Sequence, residues 1–192
     1  ARRNIDAWTA EIDGRGLDAI AITASGCGVT IKDYGFMLRD DPAYADKAAR
    51  ISALARDVSE LMAGIALPAM AAPRPTVVAY HPACSLQHGQ ALGDVPRRLL
   101  ESAGFEVRIP ADAHLCCGSA GTSNILQPGV AGQLGERKVQ TLAQLDADVI
   151  ATGNIGCMVQ IGTRTRTPVV HMIELLDWAS GGPEPRAMRP RR

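Results

Sequence analysis

Four cysteines between residues 84 and 157 are the residues best suited to chemistry. Cys84 is followed after 31 residues by the adjacent pair Cys116 and Cys117, and Cys157 comes after a further 39 residues. Residues 1–10 lack the apolar core of a secretion signal, so we expect a reducing compartment that keeps the cysteines as thiols. Thiols in such a compartment point to metal binding or redox chemistry.

The adjacent pair narrows the choice of chemistry. Neighbouring Cα atoms stand about 3.8 Å apart, below the roughly 4.4–6.8 Å that disulfides prefer, so a disulfide between Cys116 and Cys117 would be strained. Zinc commonly takes its thiolates from paired C-x2–4-C motifs, which this chain lacks. A multi-iron cluster offers several metal atoms to neighbouring thiolates. The residues therefore favour an iron–sulfur cluster on Cys84, Cys116, Cys117 and Cys157, with zinc and with inert or catalytic thiols as alternatives.

Three histidines flank these cysteines in the sequence: His81, His88 and His114. Imidazole can bind a metal or carry a proton at neutral pH. We interpret the three as hydrogen-bonded neighbours of the ligands or as core residues, with ligation as the alternative. His171, further along the chain, is predicted to be structural.

The elements that must position the cysteines alternate between strand and helix. Predicted strands cover residues 17–23, 76–80, 105–109, 148–152 and 168–171, and predicted helices cover residues 95–103, 128–145 and 172–179. This alternation predicts an α/β fold of β-α-β units with a parallel sheet. Because ligands bind at the carboxyl ends of such strands, we expect the cysteines to converge there.

An internal sequence similarity predicts two related cysteine-rich repeats. Residues 18–31 and 148–161 are identical at 7 of 14 positions, with Cys27 and Cys157 in equivalent Gly-Cys turns. We therefore predict the end of an incomplete first repeat at 1–65, a linker at 66–75, a complete repeat at 76–180 and a disordered basic tail at 181–192. The apolar stripe from Ile51 to Met62 predicts one helix that ends near Gly64.

Composition excludes several classes of function. Lys plus Arg and Asp plus Glu both number 20, so no basic field attracts nucleic acid, and no apolar run approaches the roughly 20 residues of a transmembrane helix. We expect a cytoplasmic protein. Because the chain begins with Ala1, we also expect a fragment or a processed product.

Three strings carry a resemblance to a known family: HPACSLQHGQ at 81–90, HLCCGSAGTSN at 114–124 and TGNIGC at 152–157. They resemble the cysteine-rich CCG domain shared with heterodisulfide reductase subunits. Within that family the chain is most similar to the iron–sulfur subunits of bacterial glycolate oxidases, also called glycolate dehydrogenases. NIDAW at 4–8, TASGCG at 23–28 and the stretch 32–48 look like the end of that group's first repeat.

The resemblance implies an electron-transfer subunit that binds no substrate itself and is inactive alone. Its partners would be flavin-containing glycolate oxidase subunits, which oxidise glycolate to glyoxylate, and an electron acceptor of the respiratory chain. The implied cofactor is an iron–sulfur cluster, expected to be [4Fe–4S], on the four motif cysteines, with Cys27 as the last cysteine of the first repeat. The implied location is cytoplasmic, or peripheral at the inner face of the cell membrane.

Two features depart from the family pattern. Family members carry upstream ferredoxin-like cysteine runs, which this chain lacks, and often a further cysteine three residues after the last one, where this chain has Gln160. The missing thiolate leaves four, enough for an ordinary cluster or for zinc, and Cys27 is expected to bind nothing stably. A non-redox docking domain with zinc or no metal is therefore the alternative function. A weaker third hypothesis is a thiol redox pair at Cys116 and Cys117.

Overall fold

The computed structural model describes residues 1–189 and shows an α/β fold in which every strand pairing is parallel. This confirms the predicted fold class. The strands are β1 (Ile20–Ile22), β2 (Ala55–Asp57), β3 (Val77–Tyr80), β4 (Glu106–Arg108), β5 (Val149–Thr152) and β6 (Val169–His171). The helices are α1 (Arg2–Gly14), α2 (Ser25–Lys32), α3 (Tyr34–Met37), α4 (Ala45–Leu54), α5 (Val58–Gly64), α6 (Val95–Ser102), α7 (Ser123–Leu126), α8 (Pro128–Ala143), α9 (Ile155–Gly162) and α10 (Met172–Ala179). A π-helix covers Ser85–Gly89, and a 3₁₀-helix covers Arg186–Met188.

A four-stranded sheet in the order β4-β3-β5-β6 organises the second part of the chain. Side chains alternate across each strand, so Val78 and Tyr80 pack with the α6 and α10 side while Ala79 packs with the α8 and α9 side. Helices on both faces bury most of the two central strands, β3 and β5. That burial explains the apolar runs from which the sequence predicts these strands.

A smaller unit precedes this sheet and has its own core. Strands β1 and β2 pair in parallel, with Ile20 opposite Ala55 and Ile22 opposite Asp57, and Ile5 and Ile51 lie fully buried beside them. The prediction of one helix through the Ile51–Met62 stripe is wrong, because β2 interrupts it. Asp57 then caps α5 in a capping box with Glu60.

Residues 66–75 contain no regular helix or strand, yet they are held against the second unit. The Ala71 amide donates to the Ala179 carbonyl at 3.0 Å, and the Ala72 amide donates to the Ala103 carbonyl at 2.7 Å. Leu67 packs against the core. The boundaries of the predicted units stay predictions, but this segment is anchored to the body that follows it.

The expectation of a disordered tail is wrong for residues 181–189. Met188 packs against the core, and the guanidinium of Arg189 donates to the Glu184 carbonyl at 2.6 Å. Arg74 forms an ion pair with Glu184 at 2.7 Å. These contacts, two of them with distant parts of the chain, give the segment a defined position despite its charge, whereas residues 190–192 lie outside the described part.

None of the helices within residues 1–189 has the length and apolar character needed to cross a membrane.

Candidate functional site

The cysteines follow three neighbouring strands at one edge of the sheet. Strands β3 and β5 are adjacent, and the chain leaves them in opposite directions, to β4 and to β6. Such a switch point leaves a crevice outside the carboxyl ends of the strands. Cys84 follows β3, Cys157 follows β5, and the pair Cys116–Cys117 follows β4. The topology therefore brings three distant segments of the sequence to one crevice.

All four thiols line one pocket of about 450 Å³. The Sγ atoms of Cys84 and Cys116 lie 4.0 Å apart. The Sγ atoms of Cys117 and Cys157 and a ring nitrogen of His81 all lie within 4.8 Å of one another. The five cysteines of the chain are free thiols, so the sulfurs are available to a metal. A pocket of this volume accommodates a group larger than a single ion.

The loop after Cys117 depends on a glycine. Gly118 has φ +91°, and a Cβ there would collide with the carbonyl oxygen of Ala131 and approach Gln160 Nε2 to 2.9 Å. Only glycine meets both the backbone and the space requirement. With this geometry the Gly118 amide donates to Cys116 Sγ at 3.3 Å, a hydrogen bond that stabilises a thiolate.

Cys157 lies in the first turn of α9. Asn154 caps this helix, with its side-chain oxygen 3.0 Å from the Gly156 amide. Unpaired amides at a helix N-terminus favour a negatively charged sulfur. The two predicted Gly-Cys turns are in fact helix starts, since Cys27 and Cys157 are each the third residue of an eight-residue helix.

The four thiols divide into two that ionise readily and two that keep their protons. Contact with the Cys117 thiol and then with Cys84, together with the Gly118 amide, lowers the pKa of Cys116 well below its usual value. Contact with the Cys117 thiol and with His81 lowers the pKa of Cys157 to about 6. The same contacts and burial raise the pKa values of Cys84 and Cys117. Two neighbouring negative charges in a half-buried pocket favour a bound cation.

The three flanking histidines have different surroundings. His81 is fully buried, and both of its ring nitrogens lack a hydrogen-bond partner among the described residues. His88 and His114 are exposed and do not line the cysteine pocket. His171 is structural, because its Nδ1 accepts from the Ile173 amide and leaves Nε2 to donate to the Thr23 carbonyl at 2.8 Å. The fold therefore places only His81 beside the thiols.

The first unit closes one side of the pocket, which the sequence patterns did not predict. Cys27 lies exposed at the rim of the same pocket. The Ser25 hydroxyl lies 2.7 Å from the Ser85 hydroxyl, and the Asn154 side-chain nitrogen donates to Ser85 at 3.4 Å. Isolated serine and asparagine residues in the sequence do not indicate a binding site. This hydrogen-bond network is therefore recognisable only from the packing of the two units. The expectation that Cys27 binds nothing remains a prediction.

Comparison with known proteins gives the family of this region. Residues 78–162 match the model of the family described as CCG, cysteine-rich domain. This segment is similar to CCG cysteine-rich domains. The match includes all four pocket cysteines.

Relatives extend the similarity to most of the chain. The chain is 42% identical to the glycolate oxidase iron-sulfur subunit of Escherichia coli over 93% of its own length and 44% of that protein. It is 31% identical to a probable glycolate oxidase iron-sulfur subunit of Bacillus subtilis over 94% of the chain and 42% of the relative. A lactate utilization protein A of Geobacillus thermodenitrificans is 26% identical, over 83% of the chain and 70% of the relative. The chain thus spans less than half the length of these two glycolate oxidase relatives.

Proposed function

We propose that this chain is the cluster-binding part of an iron–sulfur electron-transfer subunit in a glycolate-oxidising complex. The convergence of Cys84, Cys116, Cys117 and Cys157 on one pocket carries the proposal. Four free thiols, two of them with a lowered pKa, are the donor set that an iron–sulfur cluster requires. The relatives named as glycolate oxidase iron-sulfur subunits support the same assignment.

The residues of the pocket have separate tasks in this proposal. The four thiolates would hold the cluster, which when bound accepts and donates single electrons. The Gly118 amide stabilises negative charge on Cys116. Cys117 and Cys157 are buried, so their surroundings exclude water from that side, whereas Cys84 and Cys116 are half-buried and would form the side of the cluster nearer to solvent.

We propose flavin-containing glycolate oxidase subunits as the electron donor, with glyoxylate as the product formed there. The acceptor would belong to the respiratory chain, and the complex would act in the cytoplasm or at the inner face of the cell membrane. No residue of the pocket is proposed to contact glycolate. The chain alone should therefore lack glycolate-oxidising activity while retaining a reducible cluster.

Metal analysis tests the proposal directly. The chain is purified without oxygen, and iron, acid-labile sulfide and zinc are measured together with the visible spectrum before and after dithionite. We expect iron and sulfide near one cluster per chain, and absorbance that bleaches on reduction. Cys116→Ser should lose the cluster, whereas Cys27→Ser, which changes a thiol at the rim, should keep it. Protein that contains neither iron nor sulfide would refute the proposal.

A structural zinc site is the second candidate, and one observation favours it. Two thiolates on a tetrahedral zinc with Zn–S bonds of ~2.3 Å stand about 3.8 Å apart, close to the 4.0 Å between the sulfurs of Cys84 and Cys116. His81, Cys117 and Cys157 are also close enough to share one ion. Stoichiometric zinc without iron would establish this alternative.

A further inference from the structure

His81 is unusual because it is buried without satisfying its polar atoms. The residue follows β3 directly, and its amide donates to the Ala151 carbonyl at 2.8 Å, which extends the pairing of β3 with β5. The ring is 0% exposed, and within residues 1–189 neither Nδ1 nor Nε2 has a nitrogen or oxygen partner. Its polar neighbours are thiols, and contact with the ring lowers the pKa of Cys157. Buried polar groups are nearly always partnered, and an imidazole whose polar neighbours are sulfurs has the surroundings of a metal ligand.

The surroundings identify the kind of ligand. One ring nitrogen of His81 lies within 4.8 Å of both Cys117 Sγ and Cys157 Sγ. A metal bound to either sulfur would therefore lie within reach of that nitrogen. The backbone pairing of β3 with β5 holds the ring at the switch point, so this placement does not depend on a mobile loop.

Helix α9 offers no second donor one turn after Cys157. Gln160 is buried with its side-chain nitrogen donating to the Ala131 carbonyl at 2.9 Å. That bond ties its amide to α8 rather than to a metal. His81 thus offers a fifth donor from the strand side of the pocket, where helix α9 offers only Cys157.

We propose that His81 coordinates the metal centre through a ring nitrogen, beside the four cysteine thiolates. This inference rests on the proposed function, because it requires a metal in the pocket. A neutral imidazole adds no negative charge to the site, unlike a thiolate. A thiolate in the place of His81 would make the centre more negative, and iron–sulfur centres with cysteine in place of histidine ligands have lower reduction potentials. The identity of residue 81 therefore affects the potential as well as the geometry.

Pulsed electron paramagnetic resonance tests the coordination. The reduced cluster of the whole chain is measured with natural histidine and with histidine ¹⁵N-labelled in the ring alone, so that a change in the signal identifies ring nitrogens and not backbone nitrogens. We expect the strong hyperfine coupling of a directly bonded nitrogen, absent in His81→Leu and in His81→Cys but retained in the control variant His88→Leu. His81→Cys should also lower the reduction potential relative to wild type, because it substitutes a thiolate.

The outcomes separate this inference from the proposed function. A reducible cluster without directly bonded histidine nitrogen in wild type would overturn the inference alone, and that result needs no variant to fold. Coupling that persists in His81→Leu would overturn it as well. Zinc in place of iron would overturn the proposed function, and X-ray absorption at the zinc edge would then show an imidazole ligand if the inference holds and only sulfur if it fails. A chain that binds neither metal would overturn both.

Discussion

The buried ion pair between Lys138 and Asp112 should determine how firmly the cysteine loop is held. Lys138 lies on α8 with its side chain 1% exposed, and its ammonium donates to the Asp112 carbonyl at 2.7 Å and to the Asp112 carboxylate at 3.2 Å. Asp112 stands at the start of the loop that leads to Cys116. Substitution Lys138→Met would keep most of the apolar volume but leave both oxygens without this donor.

The neighbouring Arg137 provides a matched control, because it approaches the same carboxylate from solvent. Its guanidinium lies 3.5 Å from Asp112, and its side chain is 64% exposed. Removal of one partner from a buried pair costs about 3–5 kcal/mol, whereas an exposed pair contributes about 0–1 kcal/mol. At about 2–4 °C per kcal/mol for a chain of this size, Lys138→Met should lower Tm by about 6–20 °C, and Arg137→Met by about 4 °C at most.

Thermal and urea unfolding of the metal-free chain measures both variants without the contribution of metal binding. Addition of Asp112→Asn to Lys138→Met should recover part of the loss, because the uncompensated charge is then removed. Metal content after reconstitution should fall in Lys138→Met and stay unchanged in Arg137→Met. Equal effects of the two single variants, or a loss below about 1 kcal/mol for Lys138→Met, would refute the assignment of this pair as the anchor of the loop.

Three further perturbations test the local geometry of the site. Gly118→Ala should destabilise the chain by about 2–5 kcal/mol and reduce metal uptake, because it combines strain at positive φ with overpacking. Gly121 has φ +60° but open space around it. Gly121→Ala should therefore cost only about 1–2 kcal/mol in urea unfolding. Asn154→Ala should cost about 0.5–2 kcal/mol through loss of the α9 cap, whereas Asn154→Asp should retain most of that stability in the same assay. The free energy of unfolding of the metal-free chain should rise between pH 6 and pH 9, because the pKa of Cys157 is lowered from 9.0 to about 6 in the folded chain and the unfolded chain binds more protons in that window. The lowered pKa of Cys116 contributes to this rise in the same direction. Cys157→Ser should therefore make the dependence shallower without abolishing it in urea titrations at each pH, and an unchanged slope would contradict the role given to that thiolate.

Much of the second unit was predictable, because its periodicity is local. Predicted strands at 76–80, 105–109, 148–152 and 168–171 match β3 to β6 within a residue or two at each end, and the helix at 172–179 coincides with α10. The central strands β3 and β5 are buried on both faces and therefore apolar on both, so their runs are visible in the sequence. Helix α8 was also predictable, because a proline such as Pro128 is typical of the first position of a helix.

The errors lie where pairing or packing overrides local pattern. Strand β2 consists of Ala55, Arg56 and Asp57, residues with weak strand preference that become a strand only because β1 is beside them. The tail at 181–189 is ordered by Arg74, which lies 110 residues before its partner Glu184. No window of sequence contains both members of such a contact.

The sequence by itself determined the α/β class and the four cysteines after strand ends, because hydrophobic period and residue chemistry are local properties. Only the tertiary structure decided which other groups meet them. In the tertiary structure His81 lies beside Cys117 and Cys157, whereas His88 and His114 are exposed. Cys27, from the other unit, lies at the rim of the pocket. The physical reason is that distances between residues far apart in the chain follow from the order of strands in the sheet and from the packing of one unit on another.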